Sequence, residues 1–522
     1  MTTSDVSTCD VAVVGAGHNA LVAACYLAQA GLEVEILERD TVLGGAVSTV
    51  ERWPGYRVDR GSSLHVMVRH TPIVEELELG ECGLRYLDAD PWAYAPAPGP
   101  DEPGLVFAAD LDRTCESIAA ACGAADAAAY RALIAEFTPA CRRILDVLAG
   151  PPTPGRVARK VATMGRARGG GETSRWFLQP TNHLLDATFR SERLRAALAW
   201  LASQSGPPPH EPGTVGHLSW IALMHLRAPG RPIGGSGELS RALAQRLSRL
   251  GGHIRAGDAA TAFTIGGGAV TGVRTAAGHT VRARAVLSGA HVLTTLDLLA
   301  AAGAEPAGVR GRIRVGDGVG AAIRLATEAL PAYPGAPADA LHGMQLLVSD
   351  RAELRAAYAD FLAARAPERP AVLALTPTAQ DPSLAPPGHH TVTLWAQWHR
   401  YDLAAHGWDD LRKLTGESAI ARLEAAAPGF AAGVLDTHVQ TPLDLERELG
   451  LRRGNVMHLE MALDSMFALR PVPELSGYRG PLPGLYLTGA STHPGGGVFG
   501  ASGRSAAKIL AKDLLRGRRN RK

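Results

Sequence analysis

Gly15-Ala16-Gly17-His18-Asn19-Ala20 stands between the apolar run DVAVV (10–14) and the helical pattern LVAACYLAQA (21–30), which Gly31 stops. Glu38 closes a second apolar run, VEILE, 23 positions after Gly15. Strand, glycine turn, helix and a strand with an acidic end form the order that binds a dinucleotide. Gly15 permits the tight turn, Gly17 lets backbone approach a pyrophosphate, and Ala20 still allows close helix–strand packing. The helix start offers free N–H groups and a partial positive charge to phosphate. Glu38, with Arg39 beside it, is placed to accept hydrogen bonds from a ribose hydroxyl, and such a charge-assisted bond is worth roughly 1.5–3 kcal/mol.

Leu43-Gly44-Gly45-Ala46 follows closely. A second close backbone approach beside the phosphates suits a longer dinucleotide that crosses the site. GYRVDRGSS (55–63) reads as a strand and a tight turn. Far downstream, residues 484–507 read GLYLTGASTHPGGGVFGASGRSAA. A strand over 485–488 runs into Gly489-Ala490, and a glycine-rich loop leads to a helix starting near 498–500. Glycine this dense before an Ala-rich helix marks backbone pressed against a flat ligand.

These segments need elements to hold them. Residues 233–257 read IGGSGELSRALAQRLSRLGGHIRAG, a turn and an amphipathic helix with Ala242, Leu243, Leu247 and Leu250 on one face. Gly251-Gly252 ends it, and HIRAG is a strand. A β-meander with turns at GGG and AAGH follows, then the buried strand VLSGA (286–290). Residues 234–237 would open a second dinucleotide site, for NAD, only after a strand. The preceding LRAPGRP is not expected to form one, because two prolines interrupt it. HTVTLWAQWHR (390–400) alternates as a sheet strand, with Trp395 and Trp398 on opposite faces and one of them in the core.

On these residues the chain resembles the phytoene desaturase-like branch of the FAD-dependent oxidoreductases, which is related to the amine oxidases. The first 65 residues carry its nucleotide motifs, and 484–507 matches its flavin motif GLYL-x-GA-x-THPGGGV-x-GASGR. DPSLAPPGHHTVTLWAQ and GNVMHLEMALDSMFALRPVPELSGYRG are similar to the non-carotenoid members. The resemblance implies an α/β fold, a Rossmann-type FAD-binding domain with an interleaved mixed α+β substrate domain. The FAD-binding domain would comprise 1–64, 230–300 and 480–522, and the substrate domain 65–229 and 301–479. Gly15, Gly17, His18, Asn19, Ala20, Glu38, Arg39, Gly44, Gly45 and Ala46 would hold the ADP half of FAD. Gly61, Ser62 and Ser63 would run near the flavin ring, Ala260 near the adenine, and Gly489, Ala490, Gly497, Val498 and Phe499 against the flavin. The family's aspartate at the final strand end is replaced by Gly489-Ala490, which leaves Ser491 or backbone to meet the ribityl hydroxyls.

The activity so implied is dehydrogenation, or desaturation, of a mostly apolar small molecule by hydride transfer to flavin N5, with oxygen or a quinone as acceptor. An amine oxidase ranks second, since only Tyr478 and Tyr486 stand where that family places an aromatic pair. An isomerase or cyclase using reduced FAD, and a catalytically silent flavin scaffold, are the other readings. No cysteine follows Cys141. A cysteinyl flavin of the monoamine oxidase kind is thereby excluded, and FAD is expected to be non-covalent. No CxxC pair or metal spacing occurs, so no metal is expected. His65, Glu460 and His493 are polar residues beside the motifs, each more often structural than catalytic, and no catalytic constellation emerges.

Composition agrees with a small-molecule partner. The chain is 522 residues long, 46% hydrophobic and 20% charged, with a net charge of +2. That balance argues against nucleic-acid binding through bulk charge. No apolar run reaches membrane-spanning length. The polar, acidic N-terminus lacks a signal-peptide pattern, so a cytoplasmic location is expected. The basic stretch 156–168 reads as a solvated loop, with a lid or peripheral membrane contact as the alternative. The tail 516–522 reads as a frayed end.

Overall fold

The computed structural model describes residues 5–99, 101–153, 155–156, 159, 175 and 178–519, with side chains to 516 at the C-terminal end. Most of the basic stretch 156–168 and the end of the tail at 516–522 lie outside the described residues.

Among the described residues, one sheet has seven strands built from three parts of the chain. β1 (Val6–Val14) lies at its centre, parallel to β2 (Val34–Glu38) on one side and to β12 (Thr280–Ser288) on the other. β9 (His253–Ala256) extends the β2 edge in parallel. β10 (Ala260–Gly266), β11 (Ala269–Thr275) and the first half of β12 form an antiparallel meander. The second half of β12 pairs in parallel with β18 (Leu485–Leu487). The meander and VLSGA thus share one strand, because β12 runs unbroken from polar edge to apolar centre. Val11, Val13, Ile36, Ala285 and Leu287 are buried against α1 (His18–Gln29) and the helix Gly237–Arg249. Leu250 lies just past that helix and is only partly buried. Chain order reverses at β1, and a ligand crevice forms at the carboxyl ends of strands at such a point.

The second sheet also has seven strands among the described residues. In spatial order they are β17 (Val434–Gln440), β13 (Gly320–Thr327), β16 (His390–Gln397), β15 (Val372–Leu375), β14 (Met344–Leu346), β6 (Ala93–Ala95) and β7 (Leu105–Phe107). Ile323, Leu325, Val392 and Leu394 face the helix Trp408–Ala426 on one side. The alternate residues Arg324, Thr393, Trp395, Leu373 and Leu375 face a large cavity on the other. The expected opposite placement of Trp395 and Trp398 takes a different form. The strand stops at Gln397, and Trp398 turns off it at φ +58° to pack on Trp200 in the core.

Two short ribbons complete the frame. β3 (Thr49–Trp53) pairs with β4 (Tyr56–Asp59), and β5 (Tyr86–Asp88) pairs with β8 (Gly230–Pro232). The second ribbon corrects the expectation that LRAPGRP forms no strand. Pro229 precedes the three-residue strand and Pro232 is its last residue, opposite Tyr86, while the Pro229 carbonyl accepts the Ala89 N–H. A ribbon this short needs few donors, so proline is tolerated. The last helix, Ala501–Arg519, begins just after 498–500. No described helix is long and apolar enough to cross a membrane.

Candidate active site

All the residues assigned above to hold FAD line one cavity of about 610 Å³. They come from the β1–α1 turn, the β2 end, the 44–46 and 61–63 turns, the start of β10, and the 489–499 loop. Gly44 donates its N–H to Ala16 O, and Gly17 and Gly44 form a parallel bridge, so the two glycine turns lie side by side. Gly44 sits at φ +107°, and a Cβ there would lie 2.2 Å from Val47 O. Only glycine fits. At Gly17 the reason is different: its φ is −63°, and an added Cβ meets no protein atom within 4 Å. The space beyond is the cavity itself.

The α1 start lacks a side-chain cap, so its first-turn N–H groups are left for a ligand. Asn19 Nδ2 donates to His18 Nε2, and Asn19 Oδ1 is buried with no partner among the described residues. Burial holds His18 neutral, its pKa pushed down to about 4. Ala20 packs on Gly289, where a Cβ would come within 2.6 Å of the Ala20 methyl. Glu38 also braces the backbone around it. Its Oε2 accepts the Ala16 N–H at 2.6 Å and its Oε1 the Asp40 N–H at 2.9 Å, which ties the glycine turn to the strand end. An uncapped helix start, an open face at Gly17 and an orphan amide oxygen fit the phosphates and sugars of a dinucleotide.

Beyond the cradle the same cavity becomes apolar. Leu201, Ile221 and Met224 enter from the helices Glu192–Ala202 and Ile221–Leu226, and Met344, Leu373, Leu375 and Trp395 from the second sheet. Met461 and Met466 close a further side. The amphipathic pattern of these segments places them in a core, but their shared chamber arises only when distant strands meet.

Three polar residues that sequence reasoning did not single out also shape the site. Ser491, expected near the ribityl chain, does not line the cavity. Its Oγ accepts the Val292 N–H and bonds His458 Nδ1 at 3.0 Å, so the side chain presented from this network is His458. His458 is half-buried and stacked on His291, and desolvation holds its pKa well below the usual histidine value. Arg470 is fully buried and donates to the carbonyls of Met457, Leu459, Glu460, Ser465 and Ala490. It binds the 457–465 loop to the end of β18. Arg324, buried on β13, also lines the cavity.

His65, Glu460 and His493 do not line the cavity. His65 bonds Tyr86 Oη and Ser236 Oγ, each at 2.8 Å. Glu460 pairs with Arg314 at 2.7 Å, and burial raises its pKa. His493 is buried beside Val147 O and accepts Tyr478 Oη at its own carbonyl. Tyr486 bonds Asp513, and neither tyrosine lines the cavity.

Buried histidines give the fold an acid limit. Burial pushes His65 down to about 3 and His217 and His493 down to about 4. Unfolded, these rings take up protons near pH 6.5. The unfolded state therefore binds more protons below that point, and stability falls as pH drops toward the folded values. The slope is roughly 1.4 kcal/mol per pH unit for each such ring. Melting temperature measured across this window is expected to fall steadily with pH, and a level profile would contradict the buried neutral rings.

A dinucleotide crevice at the carboxyl ends of a parallel sheet, continuous with a chamber under a second sheet, defines the class: FAD-dependent oxidoreductases of the phytoene desaturase-like type. Residues 13–77 match the model for the NAD(P)-binding Rossmann-like domain. Over 549 residues the chain is 33% identical to pyridine nucleotide-disulfide oxidoreductase domain-containing protein 2 of Rattus norvegicus, covering 97% of this chain and 94% of that protein. The chain belongs to that family. It is also 26% identical to a phytoene dehydrogenase of Streptomyces griseus, over 94% of this chain and 92% of that one. Among solved structures, an oxidoreductase from Methanosarcina mazei shares the fold with a TM-score of 0.62 at 18% identity, covering 96% of this chain and 100% of that one.

Proposed function

We propose that the protein binds FAD non-covalently and dehydrogenates a mostly apolar organic molecule. The observation that carries this reading is the continuity of one cavity from the glycine cradle to the chamber walled by Met224, Leu373 and Trp395. When bound, FAD supplies a ring that accepts hydride at N5. The chain's own residues do the rest. The α1 start and the 44–46 turn would hold the phosphates, Glu38 keeps the cradle in register, and the 497–499 backbone would face the ring. The apolar walls exclude water and hold a substrate C–H against the ring, where a reacting distance of about 3–3.5 Å is needed. The three segments 1–64, 230–300 and 480–522 act as the FAD-binding domain, and 65–229 with 301–479 as the substrate domain. Oxygen or a quinone would take the electrons away.

None of the cysteines lines the cavity, which supports non-covalent attachment. Acid precipitation of flavin-loaded protein is expected to release all yellow colour into the supernatant. Colour held in the pellet would contradict that part of the reading. For the reaction, anaerobic flavin bleaching by apolar alcohols or alkenes, and not by amines, is the expected result.

A further inference from the structure

Arg324 is a buried cation with no anion in direct contact among the described residues. It is 2% exposed, and it lines the cavity from β13. Its Nε donates to the Asp59 carbonyl at 2.7 Å, while Nη1 finds no partner among the described residues. The nearest carboxylates act on it only at a distance. Asp59 Oδ1 accepts from Thr49 Oγ1 and the Ser236 N–H, and Glu448 accepts from Gln440 and pairs with Arg52. His438, opposite Arg324 on β17, is neutral, burial pulling its pKa down to about 4. Arg324 itself stays charged at neutral pH, although burial lowers its pKa to about 10. A buried charge left unpaired is unfavourable, so a ligand that supplies the missing anion is strongly preferred.

The sheet register shows what else that ligand meets. Arg324 pairs with Thr393, Thr393 with Leu375, and Leu375 with Met344. All four side chains line the cavity, so one row across four strands begins with a guanidinium and a hydroxyl and ends in two apolar side chains. Strands lie about 4.8 Å apart, which makes the row about 14 Å long. Trp395 and Leu373 run beside it in the neighbouring row. The row belongs to the second sheet, whereas the dinucleotide turns belong to the first.

We infer that Arg324, with Thr393 beside it, binds a carboxylate at one end of an otherwise apolar substrate whose tail lies along Leu375 and Met344. A planar guanidinium matches a carboxylate through paired hydrogen bonds. The inference rests on the proposed FAD-dependent function and names the substrate class for the same cavity: an acid with an apolar chain.

The test uses FAD-loaded protein titrated with octanoate, 1-octanol and octylamine, read as perturbation of the flavin spectrum. Octanoate is expected to bind at least about tenfold more tightly than octanol, with octylamine weakest. Arg324→Met is expected to remove the octanoate preference and leave FAD affinity within about threefold, while Arg324→Lys keeps part of the preference. Octanoate binding no better than octanol in the unaltered protein overturns the inference, whatever the variants do. A large loss of FAD affinity in Arg324→Met with the octanoate preference intact also overturns it, and assigns the cation to the cofactor diphosphate. Failure to take up flavin at all would remove the proposed function together with this inference, whereas flavin uptake without a carboxylate preference removes this inference alone.

Discussion

Gly17→Val is expected to abolish FAD binding while leaving the apoprotein folded. The backbone at Gly17 has φ −63° and ψ 155°, a conformation open to any residue, and an added Cβ touches no protein atom within 4 Å. Valine therefore introduces no backbone strain, and its Cβ meets no protein atom. Its methyl groups occupy the space where the phosphates approach the α1 N–H groups, and they keep the ligand from those donors. Losing two or three such charge-assisted bonds removes roughly 3–9 kcal/mol, or at least a hundredfold in affinity. Fluorescence titration with FAD measures the loss, and an unchanged apoprotein melting temperature shows that the fold survives. Normal FAD affinity in this variant would mean that the cradle is not where the dinucleotide lies. Gly44→Val gives the contrasting result. Its Cβ would meet Val47 O and Ser240 at φ +107°, so the fold itself should be damaged.

Arg470→Met is expected to cause a large loss of stability. The guanidinium donates to carbonyls of five residues in two separate segments, and it is fully buried. Methionine fills much of the volume but leaves those carbonyls without donors. Each unsatisfied buried group costs about 1–3 kcal/mol, so a loss of at least about 4 kcal/mol is expected even with partial relaxation. The 457–465 loop carries His458 and Met461, both of which line the cavity, so FAD affinity should fall as well. Thermal melting and FAD titration of the variant read the two effects. A variant as stable as the parent would show that the loop is held by other contacts.

The two arginines and His458 show where sequence reading stops. Gly15, Gly17 and Glu38 are legible because their partners are close in the chain, and a turn constrains residue type locally. The 484–507 loop is legible for the same reason, since its glycines record a backbone that must lie flat. Arg324 donates to a carbonyl 265 positions away, and its pairing with Thr393 depends on the register of two strands. Arg470 looks like any surface arginine until five carbonyls converge on it. Ser491 is a reasonable ribityl contact by position, but its hydroxyl turns toward Val292 and His458, neither of which the local pattern brings near. Pro229 and Pro232 mislead for the opposite reason. Their local rule excludes a long central strand and says little about a three-residue ribbon. The shape of the apolar chamber is not legible locally either, because it depends on which faces of β13, β15 and β16 point the same way.

FAD uptake by the purified chain tests the central claim most directly. Protein incubated with FAD and freed of excess ligand is expected to carry one flavin per chain by absorbance, with excess NAD⁺ unable to displace it. A chain that retains no flavin, or that retains NAD⁺ in its place, would contradict the account.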